Sequence, residues 1–107
     1  MISIQEFKNV ELKVGKIVSV EDHPGADKLL VLRVDVGEGA LRNLVAGLKP
    51  YYTKEQMVGK LVVVVTNLQP ARLRGIESNG MVLAAQDGQN VVLLTLDKPV
   101  ALGSPVL

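Results

Sequence analysis

The sequence predicts an all-β domain, a small five-stranded Greek-key barrel with short helices and terminal extensions, from three features. Five short runs rich in Val, Leu and Ile, each bounded by turn-forming residues, fit within about ninety residues. They fall in the order strand, strand, strand, short helix, strand, strand. The helix starts are brief capping-box patterns, Ser3-Ile4-Gln5-Glu6 and Thr53-Lys54-Glu55-Gln56, too short to build a helical layer. A helical insert between the third and fourth strands favours the OB-fold over its competitors, an SH3-like barrel or a split sandwich.

In order, the first capping box predicts a helix over residues 4–8, with Ile4 and Phe7 turned toward the core. Leu12 to Glu21 reads as a strand whose alternation slips around Gly15-Lys16, where a glycine marks a bulge or tight bend. Asp22 to Lys28 is loop chemistry throughout. From Leu29 to Val36 the alternation is clear: Leu30, Leu32, Val34 and Val36 share one face, and Arg33 and Asp35 the other. Gly37-Glu38-Gly39 turns the chain into Leu41 to Ala46, its hairpin partner. The second capping box opens a very short helix before Leu61 to Val65, a β-branched run expected to be buried on both sides. Asn67 to Asn79 reads as a long loop, Met81 to Ala85 as the fifth strand, and Val91 to Leu96 as a strand beyond the turn at residues 86–89. The tail to Leu107 stays largely apolar, with Asp97 and Lys98 its only charges.

Composition excludes more than it assigns. The 107 residues make one domain, residues 1–107, with a modest core that a partner subunit would enlarge. With no cysteine and one histidine, His23, neither a disulfide scaffold nor a metal centre is expected. Asp22, His23 and Asp27 resemble an acid/base cluster, but a lone histidine beside proline is a turn residue by default. No nucleophile–base arrangement, dinucleotide fingerprint or phosphate-binding Gly-Lys motif is present. A non-catalytic domain without a cofactor is expected. No apolar run approaches 18 residues and no signal pattern precedes the fold, so a cytoplasmic location without membrane contact is expected. Twelve basic and eleven acidic residues give a formal charge of +1, so any nucleic-acid surface must be a local patch.

That patch is expected where an OB barrel presents its ligands: strands two and three, flanked by the loops after strands one and four. Those loops are Asp22 to Lys28 and Asn67 to Asn79. Lys28, Arg33, Arg72 and Arg74 are therefore expected to converge. Arginine offers a planar fork to phosphate oxygens and lysine a compact charge. Asn67 and Ser78 can bond sugar hydroxyls or base edges, and Met81 offers a polarizable apolar rest for a base or ribose. Against this stand simpler roles: solvated charges, an ion-pair network of Arg72 and Arg74 with Glu77, a capping Asn67 and a core Met81.

The segments Val14–Ile17, His23–Leu30, Val45–Leu48 and Asn67–Met81, in this order, closely resemble a known family. It is the tRNA-binding domain found at the C-terminus of many methionyl-tRNA synthetases, as a free-standing structure-specific tRNA-binding protein, and in the endothelial monocyte-activating polypeptide group. The resemblance implies an OB fold whose terminal elements pair two subunits into a homodimer; separately, the stretch 91–107 is too apolar for an exposed tail and is expected to form the dimer interface. The resemblance also implies tRNA binding by shape at the outer corner of the L, alone or with methionyl-tRNA synthetase or another aminoacyl-tRNA synthetase. By position its groove residues are Lys28, Arg33, Asn67, Arg72, Arg74, Ser78 and Met81. Two other readings compete: a peptide-binding export chaperone of a related OB dimer family, which should carry a more apolar and less arginine-rich groove, and a pure synthetase dimerisation domain.

Overall fold

The computed structural model describes residues 1–107. Its frame is a five-stranded antiparallel sheet, curled into a nearly closed barrel, in the order β3-β2-β1-β4-β7. These strands are β1 (Leu12–Asp22), β2 (Leu30–Asp35), β3 (Arg42–Ala46), β4 (Leu61–Val65) and β7 (Met81–Val82). Two short hairpins stand outside it: β5 (Ala71–Leu73) with β6 (Ile76–Ser78), and β8 (Ala84–Asp87) with β9 (Asn90–Leu93). The helices α1 (Ile4–Phe7) and α2 (Lys54–Met57) carry complete capping boxes, Ser3 with Glu6 and Thr53 with Gln56. No helix is long and apolar enough to cross a membrane.

The core follows from the period-two pattern of the strands. Leu30, Leu32, Val34 and Val36 all point inward and are essentially inaccessible, joined by Ile17, Leu44, Val62 and Val64. Met57 of α2 is fully buried and closes one end. Gly15 is buried among them for lack of space. A Cβ there would sit 2.8 Å from Val34 Cγ1, 3.0 Å from Val36 Cγ1 and 3.1 Å from Val64 Cγ2. The expected bulge lies two to three residues further on, between Ile17 and Ser19, where the register with β2 shifts. Overpacking at Gly15 strikes valines with restricted side-chain rotation. Gly15→Val is therefore expected to lower the unfolding free energy by about 3 kcal/mol, read from its urea midpoint.

Three other expectations are corrected. Ile4 and Phe7 do not enter the core; they are 59% and 38% exposed, because α1 lies outside the barrel wall. The expected loop from residue 67 to 79 contains the β5–β6 hairpin. The fifth strand breaks at Leu83, whose N–H donates to Val63 O at 3.0 Å, and the chain then leaves the barrel as β8.

The tail returns to its own barrel. Val14 N–H donates to Ser104 O at 2.9 Å, Gly103 N–H to Val14 O at 2.8 Å, and Val106 N–H to Leu12 O at 2.9 Å. Residues 103–106 thus cover the start of β1 where β2 does not reach. Gly103 permits the crossing: its φ is +87°, and a Cβ would lie 2.7 Å from Val36 O. Between α1 and this tail runs an apolar groove of about 460 Å³, lined by Ile4, Phe7, Val10, Leu12, Val106 and Leu107 among others.

Candidate nucleic-acid interface

β5 and β6 pair Arg72 with Glu77 and Leu73 with Ile76, leaving Arg74-Gly75 as a two-residue turn. Both have positive φ, +54° and +89°, the type I′ geometry that suits the right-handed twist of a hairpin. Glycine adopts this freely. Arg74 is the one non-glycine residue of the chain with positive φ.

The hairpin is docked at both ends. At its tip, Leu73 O lies 3.0 Å from His23 Nε2, while His23 Nδ1 accepts the Gly25 N–H at 2.9 Å. An amide can only donate, so the imidazole proton resides on Nε2 and points at Leu73. His23 is 5% exposed and joins the first loop to the arginine turn, with Arg74 Nη2 at 3.4 Å from Gly25 O beside it. At its foot, Asn43 Nδ2 donates to Glu77 O at 3.3 Å, and Asn79 N–H to Asn43 O at 2.7 Å. Val45 N–H donates to the Ser78 hydroxyl at 2.9 Å. The hairpin therefore lies along the free edge of β3 and is not splayed away from the barrel.

Arg33 faces outward on β2, directly opposite Asn43 of β3 and Ser19 of β1. Asn43 bonds β6, and β6 places Glu77 opposite Arg72. Arg33 and Arg72 are thus linked through two strand neighbours. Lys28 stands exposed at the end of the loop that receives the hairpin tip. Lys28, Arg33, Arg72 and Arg74 lie on the elements that meet at this junction, and none has a carboxylate within ion-pair distance. Arg72 faces Glu77 by register but instead donates to Gly75 O at 2.7 Å.

Four other cations are paired with carboxylates, whereas Lys8, Lys16, Lys60 and Lys98 also lack an ion-pair partner. Lys54 and Lys49 both reach Asp22, at 3.0 and 3.2 Å, and their hydrogen bonds hold its carboxyl below the usual carboxylate range. The Thr66 hydroxyl and the charge of Lys13 do the same for Glu11. Arg42 forms a two-pronged bond with Glu38, 2.8 Å on each arm, which lowers the acid and raises the base. Arg42 also donates to Thr66 O at 2.7 Å and Asn79 O at 3.3 Å, bracing the barrel between β3 and the end of β4.

Two of the expected groove residues serve the frame. Asn67 accepts the Glu11 N–H at 2.8 Å and donates to Asn9 O at 2.7 Å, which pins the N-terminal segment to the end of β4. Ser78 is 5% exposed and also donates to Gly80 O at 3.2 Å. Met81 is 49% exposed on a cleft between β3 and β7. Sequence reasoning missed the joints Asn43 and Arg42; it read His23 as a turn residue, which matches its bond with the Gly25 N–H, but not its reach to Leu73. For His23 a signal existed, since a side chain in a turn can accept the N–H two residues on. No group of three or more His, Cys, Asp or Glu side chains is placed to hold a metal ion.

A family model described as "Putative tRNA binding domain" matches residues 12–105. The chain belongs to the tRNA-binding domain family. Among relatives of this domain, the methionine–tRNA ligase of Pyrococcus furiosus is 55% identical over 105 residues, covering 98% of this chain. The match spans only 14% of that ligase, so the domain corresponds to an accessory part of such enzymes. The crystal structure of a MetRS related protein from Pyrococcus horikoshii superposes with a TM-score of 0.92 at 30% identity, covering 100% of this chain and 98% of the other. The CsaA chaperone protein of Picrophilus torridus matches with a TM-score of 0.92 at 28% identity over 100% of both chains. These likenesses bear out the OB-like barrel expected from the strand pattern.

Proposed function

We propose that this tRNA-binding domain is a non-catalytic, shape-selective tRNA-binding module that acts as a homodimer in the cytoplasm, in association with methionyl-tRNA synthetase. One observation carries the reading: four cations without carboxylate partners, Lys28, Arg33, Arg72 and Arg74, sit on the first loop, β2 and the docked hairpin, which meet at one junction. A-form RNA is read through shape, phosphates and 2′-hydroxyls, because its major groove is too deep and narrow for side chains. Arginine forks and a lysine, with three aromatic residues in the whole chain, suit that mode better than stacking on single strands. Lys28, Arg33, Arg72 and Arg74 bind phosphates, Met81 lies against a base or ribose, and Asn67 and Ser78 hold the frame.

With roughly 3–5 phosphates neutralised, log affinity for tRNA falls with log salt at a slope of about −2 to −5. Titration of labelled tRNA at several salt concentrations measures it, and an affinity indifferent to salt refutes the reading.

The homodimer rests on separate residues. The groove between α1 and the tail is lined mainly by apolar side chains, and Val92 and Val100 are exposed as well, surface that a partner subunit would bury. A second copy related by a two-fold axis covers it with the same residues.

The likeness to a chaperone favours a second reading, in which the barrel binds unfolded polypeptide. A pull-down offering tRNA and a reduced, unfolded polypeptide in equal amounts separates the two. Retention of tRNA is expected; retention of polypeptide alone supports the chaperone reading.

A further inference from the structure

The barrel closes imperfectly between β3 and β7, leaving a cleft of about 280 Å³ lined by Ala46, Gly47, Leu48, Met81, Ala84 and Val91 among others. We propose that this cleft receives a single unpaired base of the bound RNA, extruded from its helix beside the phosphates held at Lys28 and Arg74. The inference rests on the tRNA reading above and adds to it a specific feature of the RNA. The volume lies below the usual range for drug-sized ligands and suits one ring. The lining side chains are apolar while backbone groups supply polar surface in equal share, and the exposed Met81 presents a thioether, which makes favourable contacts with aromatic rings.

Gly47 marks the lip. Its φ lies in the ordinary range, and a Cβ would meet nothing closer than Leu29 Cδ2 at 3.9 Å. Neither its N–H nor its carbonyl has a hydrogen-bond partner in the protein. Neither conformation nor internal packing requires glycine here. A glycine of that kind marks a place where an outside group approaches the backbone closely. The free N–H and carbonyl offer the donor and acceptor that a splayed base needs on its edge.

The cleft adjoins the cationic junction. Val45 in its wall holds Ser78 at the foot of the arginine hairpin, and Leu29, beside Gly47, directly follows Lys28. An occupant arriving here passes cations with no carboxylate partner, which favours a polyanion over a neutral peptide.

The test uses two RNA duplexes of the same sequence, one uninterrupted and one with a single bulged nucleotide, titrated by fluorescence anisotropy. The protein is expected to bind the bulged RNA about tenfold more tightly. Gly47→Val, which occludes the lip, brings the bulged RNA down to the affinity of the uninterrupted duplex. Met81→Ala, which removes the thioether without filling the cleft, reduces the preference to about threefold. The double variant Arg72→Ala, Arg74→Ala weakens both RNAs in parallel and keeps their ratio. Equal binding of the two RNAs by the unaltered protein, with both weakened by the arginine variant, overturns the base site and leaves the tRNA reading standing. Indifference of both RNAs to the arginine variant overturns the tRNA reading itself. Binding of a reduced, unfolded polypeptide that Gly47→Val abolishes, with the RNAs unaffected, assigns the cleft to peptide and overturns the base site.

Discussion

Arg74→Asn raises the stability of the domain and lowers its affinity for tRNA. Arg74 occupies the first position of a type I′ turn with φ +54°, where asparagine before glycine is the favoured pair. A left-handed backbone costs most residues roughly 1–2 kcal/mol, and asparagine tolerates it better. Its one bond to the protein, to Gly25 O at 3.4 Å, is long and weak. The strained arginine is therefore not explained by what it does for the fold. Asparagine should raise the melting temperature by about 4 °C. Losing one phosphate contact should weaken tRNA binding about tenfold and shorten the salt slope by about one unit. Thermal unfolding and tRNA titration read the two effects separately. A variant that loses stability, or keeps full affinity, shows the arginine to be structural.

Deletion of residues 97–107 produces the other large effect. It removes the hydrogen bonds that tie the tail to Leu12 and Val14, exposes the first half of β1 and strips one wall from the groove beside α1. The truncated domain is expected to sediment as a monomer and to bind tRNA about 100-fold more weakly, because two grooves no longer engage one molecule. Gly103→Val reaches the same end by one residue, since its Cβ would press on Val36 O at 2.7 Å and lift the tail. A truncated protein that stays dimeric, or a monomer with undiminished affinity, contradicts the role given to the tail.

The barrel was legible where residues repeat with the period of a strand. Leu30 to Val36 alternates so regularly that both faces of β2 could be assigned, and the β-branched run at residues 61–65 is buried almost throughout. Legibility failed where geometry arises from pairing at a distance. The β5–β6 hairpin was hidden because its turn is Arg74-Gly75, outside the usual asparagine or aspartate signals. Ile4 and Phe7 have the spacing of a buried helix face, yet the helix sits over the tail, a neighbour that sequence does not reveal. In the candidate site the four cations could be named, since the ligand-side loops and the outward face of β2 are where an OB barrel presents charge. Asn67 and Ser78 have the same polar character, but both side chains bond backbone 33 or more residues away. Only the fold distinguishes a polar side chain left free from one so engaged.

Amide chemical-shift mapping of the isotope-labelled domain during titration with tRNA tests the shared surface most directly. The prediction is one contiguous footprint on the first loop from His23 to Leu29, on Arg33 and its neighbour Asn43, and on the hairpin from Ala71 to Asn79. Perturbations confined to another face, such as the groove between α1 and the tail, would contradict it.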